Sequence, residues 1–140
     1  MILYFNYEEL AALRSGARVL LDREQAGEGP VLAPTEERAQ VEVFLSRLEG
    51  DLSLSTLHEL RGIQSAVRAI VGSLRVDMES SVLATHAADE GAVAAYFDFA
   101  HGFTVSHRLD VMASEMEALI ELVTGAPPTY ETTRSFQFPD

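Results

Sequence analysis

Apolar residues recur every three or four positions along two long stretches, from Ser55 to His86 and from Asp89 to Thr124. That spacing returns to one face of an α-helix and predicts two amphipathic helices on either side of a break at His86-Ala87-Ala88-Asp89. In the first, Thr56 and Glu59 form a capping box, and Leu57, Leu60, Ile63, Val67, Ile70 or Val71, Leu74 and Met78 make a stripe that continues to Val82. In the second, Val105, Leu109, Met112, Met116, Leu119 and Val123 hold the spacing, and Gly125 with Pro127-Pro128 stops it.

Two shorter helices precede these. Asn6 and Glu9 make a capping box, Phe5 and Leu10 a hydrophobic staple, and Leu10, Leu13, Ala17, Leu20 and Leu21 one face. Ala26-Gly27-Glu28-Gly29-Pro30 ends that helix. Thr35 opens the next, with Glu36 and Glu37 at the positive end of its dipole. Val41, Phe44, Leu45 and Leu48 form its stripe, and Gly50 closes it.

Residues 93–109 carry a competing signal. Val93, Ala95, Phe97 and Phe99 alternate, then Phe103, Val105, His107 and Leu109 follow His101-Gly102, as in a β-hairpin. The helical reading is the stronger one, because Asp89-Glu90 and the alanines after it look like a helix start. Both termini are short, aromatic and extended in character, Ile2-Leu3-Tyr4-Phe5 and Ser135-Phe136-Gln137-Phe138. Phe136 and Phe138 either pack back on the domain or insert into a partner's groove; burial at about 1.5–3 kcal/mol per ring favours the first.

Composition narrows the functional classes. The chain of 140 residues is long enough for one hydrophobic core, and 47% apolar content argues against disorder. Without cysteine it has neither disulfides nor thiolate chemistry. Its 22 acids face ten arginines and no lysine, a net charge of −12 that disfavours nucleic acid and anionic membranes. Its longest uncharged runs fall well short of a membrane span, and its first ten residues lack the basic start of a secretory signal, so a cytoplasmic protein is expected. An acidic surface also suits a basic partner.

Histidines offer the only candidate chemistry. Asp98 and His101 share a helix face, but His107 lies roughly 240° further round it, and no zinc or di-iron spacing completes the set. No nucleophile elbow or phosphate loop is present, so neither a cofactor nor a catalytic residue is assigned. Arg61, Arg68 and Arg75 repeat every seven residues and form a stripe that can pair with acids on a neighbouring helix or another subunit.

The expected architecture is therefore all-α: a four-helix, bundle-like domain over 1–125 with a long antiparallel hairpin, and an extended tail over 126–140 packed against it. The alternative is an α+β fold with a small antiparallel hairpin near 93–109. The expected role is a non-enzymatic interaction or assembly module, a homodimer or a complex with another protein. Its surface would use Tyr96, Phe97, Phe99 and Phe103, with the arginine stripe and the aromatic tail as further contacts. Its rivals are a metal- or small-ligand-binding bundle around Asp98, His101 and His107, and an acidic chaperone or immunity-like protein that binds a basic partner.

Overall fold

The chain folds as an all-α bundle closed at one end by extended segments. A computed structural model describes residues 1–25, 35–85 and 90–139. The elements are β1 (Ile2–Leu3), α1 (Tyr7–Gln25), α2 (Thr35–Arg47), β2 (Leu52–Ser53), α3 (Leu57–Thr85), α4 (Glu90–Thr124) and α5 (Tyr130–Ser135). The Ala26–Pro30 stop and the His86–Asp89 break expected from the sequence lie outside the described residues.

Helix α1 starts as its sequence dictates. Asn6 Oδ1 accepts the Glu9 N–H at 2.8 Å, and Glu9 Oε1 accepts the Asn6 N–H at 3.0 Å, so each satisfies a donor that helix geometry leaves unpaired. A shifted version opens α3, where Thr56 Oγ1 accepts from Glu59 N at 3.2 Å but Glu59 Oε2 reaches one residue past the cap to accept from Ser55 N at 2.9 Å. Helix α4 ends at Gly125, whose φ of 77° lies in the left-handed region that side chains disfavour.

The core is one cluster. It joins Leu13, Ala17 and Leu20 of α1, Val41 and Phe44 of α2, the α3 stripe from Leu57 to Leu74, and Val105, Leu109, Ala113 and Ile120 of α4. Two glycines let three helices approach closely around Leu74. A Cβ on Gly16 of α1 would lie 2.8 Å from Ile70 Cγ2 and 3.1 Å from Leu74 Cδ2, and one on Gly102 of α4 would lie 3.1 Å from Leu74 Cδ1. Gly102 is thus neither a turn nor a break; it sits inside α4 because α3 crosses too near for a side chain.

The hairpin alternative for 93–109 is overturned, since that segment is continuous helix within α4. The alternation was real, but it reflects a helix with apolar residues on two faces. The terminal stripe also shifts. Ala113 and Ile120 are buried, whereas Val123 is exposed, as is Val82 at the end of α3.

The small sheet was not expected. β1 and β2 pair antiparallel, Ile2 opposite Ser53 and Leu3 opposite Leu52. The pairing continues as Met1 and Leu54 exchange bonds of 3.1 and 2.8 Å, and Phe138 N–H donates to Ser55 O at 2.8 Å. Buried Leu52 and Leu54 flank exposed Ser53, a period-two pattern too short to stand out in the sequence. The tail is not wholly extended as expected: α5 occupies Tyr130–Ser135, capped by Thr129 and Thr132, before the chain turns in to bury Phe138. Phe138 belongs to the core and Phe136 is half-buried against it, so the tail is no free aromatic peptide.

Candidate interaction surface

Helices α3 and α4 run antiparallel, fixed by rungs that repeat with the heptad of the arginines. Arg61 pairs with Glu117 at 3.0 Å, and Arg68 pairs with Asp110 at 2.9 Å. The step of seven from Arg61 to Arg68 along α3 meets a step of seven back from Glu117 to Asp110 along α4. Gln64 reinforces the second rung, donating to Asp110 at 2.6 Å. Beyond them the spacing changes: Arg75, seven residues on, meets Phe99, eleven residues back from Asp110, with its guanidinium 5.4 Å from the ring centre. The arginine stripe therefore serves the hairpin of its own chain.

The inner side of α4 carries Ala92, Gly102, Val105, Leu109, Ala113 and Ile120. At 100° per residue, Val93, Tyr96, Phe97, Ala100, Phe103 and Val111 fall on the opposite side. There Tyr96 and Phe97 are each 54% exposed and Phe103 is 51% exposed. Soluble proteins rarely present such a row along one helix, and a helix apolar all round is ordinarily covered all round. The rings are already organised: Tyr96 meets Phe97 edge-on at 5.7 Å, and Phe99 lies 6.0 Å from Phe103.

This face lies largely on the distal part of the hairpin, where the core thins out. Between Leu74 and Gly102, Ala92 is the one buried residue among those whose burial is described. The end of α1 is tied to α3 near that boundary by the Arg23–Asp77 ion pair.

A second cluster holds the N-terminal segment on α4. Glu9, 2% exposed, receives Arg108 Nη2 on Oε2 at 2.7 Å and Nη1 on Oε1 at 3.3 Å. Arg108 Nη1 also donates to Tyr4 O at 2.9 Å. Burial raises the Glu9 pKa, but the Arg108 hydrogen bond, the Asn6 N–H and the Arg108 and His101 charges outweigh it and hold the carboxyl below its ordinary value. Sequence reasoning saw Glu9 only as a cap; no local signal marks a partner 99 residues away.

Among the described residues no group of three His, Asp or Glu side chains is placed to hold a metal ion. Asp98 and His101 are half-buried and His107 is exposed. No helix among the described residues is long and apolar enough to cross a membrane. No family model, curated protein or solved structure matches the chain.

Proposed function

We propose that this protein is a non-enzymatic assembly module that forms a homodimer through the outer face of α4. The observation that carries this reading is the exposed row Val93, Tyr96, Phe97, Ala100, Phe103 and Val111 on a helix whose other side is already core. A second copy suits that row for two reasons. First, no acidic residue interrupts it, so two molecules of net charge −12 can meet there with the least like-charge repulsion. Second, its two phenylalanines are placed evenly about Ala100, Phe97 three residues before and Phe103 three residues after. A twofold axis at Ala100 sets Phe97 of one copy against Phe103 of the other, the self-complementary arrangement that closed dimers require. Ala100 supplies the small residue that lets such helices approach.

The test is a pair of substitutions at exposed positions. Phe97 and Phe103 are half-exposed and neither belongs to the buried core, so Phe97→Asp and Phe103→Asp are expected to fold with the wild-type helical content by circular dichroism. Each places a carboxylate in the apolar seam and weakens dimerisation by at least about a hundredfold, on the scale of burying a phenylalanine plus an unpaired charge. Wild-type protein that is monomeric in concentrated solution, or variants that dimerise as well as wild type, would remove the basis for this reading.

A further inference from the structure

A cleft between α2, α3 and α5 gathers positive charge on a strongly acidic molecule. It has a volume of about 500 Å³, and Arg47, Arg61, Arg134 and His58 line it beside the apolar side chains of Val43 and Ile63. Three of the ten arginines of the chain thus face one recess. Their bonding leaves donors to spare. Arg47 gives Nη2 to the neutral carbonyl of Ser53 at 3.0 Å, and Arg134 stacks on the Tyr130 ring at 4.8 Å. Neither contact neutralises a charge. Arg61 is the one of the three in an ion pair, with Glu117 at 3.0 Å. The cleft's own acid, Glu59, accepts the Ser55 N–H at the start of α3 and keeps its charge, so three guanidinium groups face one carboxylate along the lining.

From this arrangement we infer that the cleft is a binding site for a small oxyanion carried on an apolar body, a phosphate monoester being the best match. Guanidinium forks match the oxygens of phosphate, and Arg47, Arg61 and Arg134 are exposed side chains at one recess, able to turn their forks onto a shared ligand. The cleft is an open groove of a size to seat a small ligand, with Val43 and Ile63 beside its apolar part. The site is separate from the outer face of α4 and does not rest on the homodimer reading.

The probe is phenyl phosphate, titrated into isotope-labelled protein and followed by backbone amide NMR. Saturable shifts centred on Val43, Gly62, Ile63 and Arg134 are expected, with affinity above that for inorganic phosphate because the ring has Val43 and Ile63 to pack on. Arg134→Ala and Arg47→Ala each weaken binding about tenfold, whereas Arg68→Ala, the same charge change outside the cleft, leaves it unaltered. The mapping uses wild-type protein, so it decides even where a variant misfolds. Non-saturable shifts, shifts as large at Arg18 as in the cleft, or equal weakening by Arg68→Ala would overturn the assignment. Equal affinity for inorganic phosphate would overturn the apolar part of the ligand.

Discussion

At the scale of single residues, Glu9 shows how a cap signal can conceal a tertiary role. Its carboxylate caps α1 and also anchors Arg108 of α4, while Arg108 holds the Tyr4 carbonyl. Arg108→Ala strands a buried charge and should destabilise the fold by about 2 kcal/mol, measured by urea denaturation; Arg108 itself is partly exposed, which keeps the cost moderate. The pH dependence has a definite sign. A carboxyl with a lowered folded pKa stabilises fully above its unfolded value of 4.5 and loses that contribution as pH falls through the folded pKa. The stability difference between wild type and Glu9→Gln should therefore be constant near neutrality and shrink below about pH 4.5. A difference that grows on acidification would reverse the assignment. The glycines make a second pair of tests. Gly72 on α3 has nothing within 4 Å of an added Cβ, so Gly72→Ala should raise stability by about 0.5–1 kcal/mol through helix propensity. Gly16→Ala drives a methyl against the stiff β-branched Ile70 and should lower it by about 1–2 kcal/mol instead.

At the scale of elements, the helices were legible where one face was apolar and the other polar. Leu57, Leu60, Ile63, Val67, Ile70 and Leu74 read correctly as the buried stripe of α3 because Arg61, Arg68 and Arg75 mark its outer side. Helix α4 was legible as a helix only against a rival. Its aromatics lie on the face away from the core, so the segment 93–109 satisfied the alternation of a strand as well as the spacing of a helix. For the same reason the inner positions near its end were misplaced, with Ile120 rather than Val123 buried. The β1–β2 pair and the Glu9–Arg108 link escaped because both depend on residues far apart in sequence and on elements too short to show a period. The arginine heptad was visible, but its partners Asp110 and Glu117 come only from the register of the hairpin. These rungs are exposed, so Arg68→Ala should cost less than about 1 kcal/mol. A double-mutant cycle with Asp110→Ala should return a coupling of a few tenths of a kcal/mol; a coupling of several would mean that the pair is shielded by a further contact.

At the scale of the whole molecule, the fold is asymmetric in what it has left to bury. The end bearing the small sheet is closed by the first residues, the 52–55 segment and Phe138, all bonded to one another. Along the other half of the hairpin the apolar stock is not consumed. Tyr96, Phe97 and Phe103 remain outside while the rest of the surface is dominated by acids. An apolar seam between two copies answers both features and has a consequence for salt. Screening weakens repulsion between the two acidic bodies and leaves the apolar contact intact, so added salt favours the dimer. A complex with a basic partner would respond in the opposite direction. Sedimentation equilibrium of the wild-type chain at low and high salt is the most direct measurement. The account predicts a mass near twice 15.3 kDa that holds or strengthens as salt rises. A mass of 15.3 kDa at every concentration, or a dimer that dissociates on adding salt, would contradict it.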